Sequence, residues 1–349
     1  MGSARQFLLA AVAAAGALAA ASAAQAAGEL YFYNWSNYYP PELLKKFEAE
    51  TGIKVTLDVY DSNETLLAKL QAGAAGYDVV VPSDYMVDIM IKQGLLQEID
   101  AGQMANFKNV GAPHDKPWYD PERKYSAPYM WGTTGFSYDT AKVSAKVDDS
   151  WWSIFDPDGP FKGQLAMLND PVEVYKAAAM YLKVDFCTES SDDAGKIFKL
   201  LEAQKPAVAL YNSDGTIERM IAGEVVAHMQ WNGAAHRTKE GKPTVTYVYP
   251  KEGINFWNDN FAVPKGARNV ENAKIFIDWM MKPETIAAVS NFTGYNNGIK
   301  GSPEFMDAKL RDDPAVNTPQ EALGRLNPNK NCSAAAVELR DRVWTRLKS

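Results

Sequence analysis

Residues 30–81 read LYFYNWSNYYPPELLKKFEAETGIKVTLDVYDSNETLLAKLQAGAAGYDVVV, and the periodicity of this stretch sets the fold class. Leu30-Tyr31-Phe32-Tyr33 is an aromatic-rich strand. Pro40-Pro41 then opens a helix with Leu43, Leu44 and Phe47 on one face, stopped near Gly52. Lys54–Tyr60 alternates Val55, Leu57 and Val59 with mostly polar neighbours, the period of a second strand. Ser62 or Asn63 caps the next helix, which turns Leu66, Leu67 and Leu70 inward. Asp78-Val79-Val80-Val81 is nearly continuous apolar sequence, as expected of a strand buried on both faces. Strand, helix, strand, helix, strand implies a parallel sheet.

The same grammar restarts further on. Leu165–Leu168 is a strand, and Asp170-Pro171-Val172-Glu173 opens a helix through Met180. Ala194–Leu201 and Ile217–Ala222 read as helices, Val208–Tyr211, Val225–Gln230 and Val245–Tyr249 as strands, and Ala273–Met281 as a strong helix. The chain is therefore α/β with two units. Tyr129–Phe136 and Asn260–Pro264 are the candidate crossovers between them.

The ends and the composition bound the class. Arg5, an apolar run from Phe7 to Ala20 and Ala24-Gln25-Ala26 form a signal-peptide pattern over residues 1–26, with no cysteine near the cleavage site to carry a lipid anchor. The remaining ~320 residues suit two domains or lobes. A net charge of −7 argues against a nucleic-acid surface, which needs basic stripes. Two cysteines, Cys187 and Cys332, in an exported chain are expected to pair, with two free thiols as the alternative. His114, His228 and His236 lie in no Cys/His cluster, so no metal site is expected, and nothing calls for a cofactor.

In open parallel sheets ligands collect beyond the carboxyl ends of strands. Those positions hold Asn34-Trp35-Ser36-Asn37-Tyr38, Pro82-Ser83-Asp84-Tyr85, Asn169-Asp170, Trp231-Asn232-Gly233 and Trp257-Asn258-Asp259. Rings alternate with carboxylates, the makeup of a cation box: ring faces attract ammonium groups and carboxylates accept charged hydrogen bonds. Asp170 and Glu173 carry a competing reading. Asp at the N-cap, Pro next and Glu two residues later also resemble a capping box, which helix stability alone would explain.

Several runs, in order, resemble the spermidine/putrescine-binding proteins of bacterial polyamine importers. They are Leu30–Ser36, Glu50–Val55, Ser62–Thr65, Tyr77–Ser83, Pro128–Gly135, Trp231–Gly233 and Pro250–Gly253. The likeness spans Leu30 to about Tyr295. It implies a type II periplasmic-binding fold whose two lobes, 27–133 with 259–300 and 134–258 with 301–349, are each a mainly parallel sheet flanked by helices. It also implies a periplasmic monomer that closes on a polyamine and delivers it to the membrane permease subunits of an ABC importer.

Carried over by position, Trp35, Tyr38, Tyr85, Trp231, Trp257 and Tyr295 form aromatic walls. Asp170, Glu173 and Asp259 bind amines, and Ser83 lines the cleft beside Ser36. Two departures stand out. Relatives carry an acidic residue where this chain has Asn37, a loss for which Asp84 is the expected compensation. A polar neutral residue at the C-terminal cleft edge is replaced at about Lys330. The competing functions are the same fold holding a sugar or quaternary amine, and a glycosidase with Asp170 and Glu173 as acid and base. Rings stack on sugars too, but converging carboxylates favour a cation, and no recognisable nucleophile or metal accompanies the pair.

Overall fold

The computed structural model describes residues 28–73, 76–144 and 146–349. The signal-peptide reading of 1–26 lies outside the described residues. The strands are β1 (Glu29–Trp35), β2 (Lys54–Tyr60), β3 (Val79–Val80), β4 (Ser126–Asp139), β5 (Leu165–Met167) and β6 (Val208–Tyr211). They continue with β7 (Ala227–Trp231), β8 (Val245–Val248), β9 (Ile254–Ala262), β10 (Asn296–Asn297) and β11 (Leu326–Pro328).

The two α/β units are where the periodicity puts them. β1 runs parallel to β2 and β3, and β5 runs parallel to β6 and β7. The crossover candidate Tyr129–Phe136 lies inside β4, and Asn260–Pro264 begins in the last residues of β9 and runs past its end; β4 and β9 are the two longest strands and pair antiparallel to each other. β9 also meets β3, and β4 meets β7, so the order β2-β1-β3-β9-β4-β7-β5-β6 is one continuous curled sheet. This is the two-lobed α/β architecture, with the central antiparallel pair carrying the chain between its halves.

Each half has its own apolar core. Phe32, Phe47 and Phe261 pack around Phe276, with ring centroids 5.1 to 5.9 Å apart. On the other side Phe136, Trp151, Phe155, Tyr175 and Met229 are fully or almost fully buried. The C-terminal helix Ala334–Lys348 adds Leu339, Val343 and Leu347 to that second core, and a disulfide joins Cys187 to Cys332 just before it.

Leu57 and Val59 alternate as a strand should, yet they are 39% and 47% exposed. β2 is the edge strand of the sheet. Strand identity was legible from the alternation; burial was not. Among the described residues no helix is long and apolar enough to cross a membrane.

Candidate ligand-binding site

Every residue expected at the site lines one cavity: Trp35, Ser36, Tyr38, Ser83, Tyr85, Asp170, Glu173, Trp231, Trp257, Asp259 and Tyr295. The cavity and its open mouth together span about 1000 Å³, adjoining solvent included. The convergence follows from the topology. β1, β3, β5 and β7 all end at it, and β9 passes through with Trp257 and Asp259, two residues apart, on the same face.

Asp259 is held through both carboxylate oxygens. Ser83 and Asp259 face each other as an isolated antiparallel bridge. Ser83 Oγ donates to Asp259 Oδ1 at 2.6 Å, and the Tyr38 hydroxyl donates to Oδ2 at 2.8 Å. Asn63 fixes Ser83 in turn, donating to its Oγ at 3.0 Å and accepting from its backbone N–H at 3.1 Å. Burial still pushes the Asp259 carboxyl up to about 7, because two neutral hydroxyls do not replace lost hydration.

The competing readings of Asp170 and Glu173 separate here. Asp170 does cap its helix, Oδ1 accepting from the Val172 and Glu173 N–H groups at 2.9 and 3.0 Å. Its Oδ2 receives no donor among the described residues. Glu173 does not close the capping box. Its Oε1 accepts from Thr134 Oγ1 at 3.0 Å and Trp231 Nε1 at 3.3 Å, and Oε2 accepts from Asn255 Nδ2. Burial, then repulsion from Glu173, raises Asp170 to about 7, and burial raises Glu173 as well. Behind them Tyr85 donates to Glu64 Oε1 at 3.1 Å, while Glu64 Oε2 is sealed without a donor. Burial and the nearby Asp170 carry Glu64 to about 7 too. None of these carboxyls has an ion-pair partner within 4 Å among the described residues; the charges of Arg340, near Asp170 and Glu64, and of Lys176, near Glu173, offset burial only in part.

Rings form the walls. Trp35 donates to the Val81 carbonyl at 2.9 Å and packs on Tyr60, centroids 4.7 Å apart. Tyr295 meets Trp257 and Tyr38 edge-on at 5.2 and 5.5 Å. Gly233 permits this: a Cβ there would lie 2.5 Å from the Tyr295 ring. Gly132 does the same for Trp257, whose ring a Cβ would approach to 2.6 Å.

Two expectations are corrected. Asp84 does not reach the cavity and does not compensate for Asn37. It is fully buried and accepts from Asn329 Nδ2 at 2.9 Å and from the Tyr85 N–H at 2.8 Å. Lys330 is exposed, and its neighbour Asn329 is the polar neutral residue that lines the cleft edge. Asn329 also accepts from the buried Lys176 ammonium at 2.8 Å, so it bridges Lys176 and Asp84. Asn37 lines the cavity mouth, exposed and left-handed at φ 55°, a conformation asparagine tolerates.

The sequence reading missed Tyr60, Asp61, Asn63, Arg237, Asn329 and the segment Ser213–Glu218, which also line the cavity. Asp214 carried a legible signal, since it lies in the turn that follows the end of β6. Among the lining residues, six carboxylates face one basic side chain, Arg237. Buried, incompletely compensated carboxylates flanked by ring faces are built to receive a cation carrying N–H donors.

A family model described as bacterial extracellular solute-binding protein matches residues 42–318. The chain is 35% identical to a putrescine-binding periplasmic protein of Pseudomonas aeruginosa, covering 93% of this chain and 94% of that one. It is 34% identical to the spermidine/putrescine-binding periplasmic protein of Escherichia coli, covering 92% and 91%. Among solved structures it is similar to a spermidine/putrescine ABC transporter substrate-binding protein of Streptococcus pneumoniae. That match has a TM-score of 0.76 at 26% identity and covers 92% of this chain and 98% of that one.

Proposed function

Because the chain belongs to the bacterial extracellular solute-binding proteins, we propose that it captures a polyamine of the putrescine and spermidine class and delivers it to an ABC importer. One observation carries the choice of ligand: buried Asp170 and Asp259 and half-buried Glu173 converge on a cavity walled by Trp35, Trp231, Trp257 and Tyr295. An alkyl diamine fits both features. Its ammonium groups complete the carboxylates, and its methylenes leave water against the rings. The names of the relatives support the same class.

In this reading Asp259, with Ser83 and Tyr38, holds one ammonium, and Asp170 with Glu173 holds another. Trp35, Ser36, Tyr85, Trp231, Trp257 and Tyr295 sandwich the chain between them. The protein works as an exported periplasmic monomer without turning its ligand over. Its lobes, 27–133 with 259–300 and 134–258 with 301–349, close on the ligand, and the closed form is what the permease subunits receive.

A thermal-shift screen against putrescine, spermidine, spermine, choline and simple sugars tests the ligand class. Polyamines are expected to raise Tm and sugars to leave it unchanged; a sugar-positive, polyamine-blind profile rejects the reading. Mass spectrometry of the recovered ligand checks that it is returned intact.

A further inference from the structure

Arg237 is the feature of the cavity that a cation box does not call for. It lies on the helix Asn232–Gly241, one turn beyond Ala234, and both residues line the cavity. Its guanidinium carbon sits 5.3 Å from the centre of the Phe292 ring, on the helix Pro283–Thr293, and Thr293 and Tyr295 line the cavity just beyond. Its neighbours on the helix are engaged elsewhere: His236 Nδ1 meets Asp313 Oδ2 at 2.7 Å and Lys239 lies 3.7 Å from Asp313. Arg237 has no carboxylate within ion-pairing distance among the described residues. A guanidinium stays charged at any working pH, and the ring face holds this one in place without neutralising it. Ala234, beside it, offers no compensating charge.

We infer that Arg237 is a specificity-determining residue, a fixed positive charge on the Tyr295 side of the cavity that disfavours ligands with a third or fourth ammonium and so selects diamines. The inference rests on the polyamine reading of the site. A diamine satisfies Asp259 and the Asp170–Glu173 pair with its two charges. A longer polyamine occupies more of the same cavity and brings a further ammonium toward Arg237. A like charge ~8 Å away at an effective dielectric of ~20, reduced by salt screening, corresponds to roughly three- to thirtyfold in affinity.

The test is calorimetry of putrescine, spermidine and spermine with wild-type protein, Arg237→Gln and Arg237→Lys. Arg237→Gln is expected to tighten spermidine and spermine relative to putrescine by roughly three- to thirtyfold, while Arg237→Lys keeps the wild-type ratio. Should Arg237→Gln not fold, Arg237→Met keeps the apolar stem on Phe292 and gives the same readout. An unchanged ratio in the neutral variant overturns the inference and leaves the polyamine reading standing. So does ornithine, a diamine bearing a carboxylate, binding wild type more tightly than putrescine and losing that advantage in Arg237→Gln, since the guanidinium would then be an anion receptor. Wild-type protein blind to all three polyamines removes the site reading, and the inference with it.

Discussion

The Tyr38 hydroxyl donates to Asp259 Oδ2 at 2.8 Å, joining the turn after β1 to the middle of β9 across 221 positions of chain. With Ser83 on Oδ1, both oxygens of Asp259 are held before any ligand arrives. The site is thus oriented in advance but not neutralised, and ligand supplies the charge.

Asp259→Asn keeps the shape of that carboxylate and removes its charge. Polyamine affinity is expected to fall by ~1.5–3 kcal/mol, roughly ten- to a hundredfold. Calorimetry against putrescine and spermidine measures it, and wild-type affinity for both would remove Asp259 from the site.

Gly233→Ala separates wall geometry from helix stability. Alanine suits a helix better than glycine by roughly 0.5–1 kcal/mol. Here, though, its methyl would lie 2.5 Å from the Tyr295 ring. We expect helical circular dichroism to persist while Tyr295 shifts off Trp257 and polyamine affinity falls at least about tenfold. Unchanged affinity would mean that the ring position does not matter.

Asn37→Asp restores a carboxylate at the cavity mouth where Asp84 gives none. Aspartate also tolerates the left-handed backbone of this position, so the fold is expected to survive. Binding of spermidine is expected to tighten by roughly threefold to tenfold at low salt, and to lose much of the gain as salt screens an exposed pair. Equal spermidine affinity in both proteins at low salt counts against a ligand-facing role.

How much of this was legible in the sequence depends on what each residue's role requires. Trp35, Ser83, Asp170 and Trp231 sit directly at strand ends, so finding the strands located them. The Asp170 cap was legible for the same local reason, whereas the fate of Glu173 was not. Its partners Thr134, Trp231 and Asn255 come from three different strands. Arg237 was missed because it lies inside the helix that follows β7 and not at the strand end itself, and Asn329 because it follows a strand that the periodicity does not mark. One is deep in a helix, and the other is placed by β11 pairing with β9. Asp84 stands in the run that faces the cavity, yet its own side chain does not. The N-terminus of its helix turns it instead toward Asn329.

The disulfide ties the loop after the helix Pro171–Leu182 to the segment entering the C-terminal helix, closing a sequence separation of 145. A loop of that length gives on the order of 4–5 kcal/mol in the chain-entropy model. Replacing both cysteines by serine is expected to lower the denaturant midpoint strongly in oxidised preparations. A midpoint equal to wild type would show that the bridge contributes nothing.

The raised carboxyls make stability and binding depend on pH in opposite senses. Asp170 and Asp259 are both held up to about 7 in the unliganded fold. The folded protein therefore keeps protons that the unfolded chain loses above the ordinary carboxylate range near 4. Stability of the unliganded protein is full below that range and declines as pH rises through about 7. A polyamine binds the ionised form, so its affinity runs the other way, rising across the same window. The rise in Tm produced by saturating putrescine is expected to be larger at pH 8 than at pH 5.5. A rise that shrinks with pH would contradict the assignment.

The most direct test of a carboxylate box that captures a polyamine is calorimetric titration of putrescine at pH 7 in two buffers with different ionisation enthalpies. The account predicts saturable binding with heats that differ between the buffers, because cation entry releases protons from Asp170 and Asp259. An absence of binding, or binding with identical heat in both buffers, would contradict it.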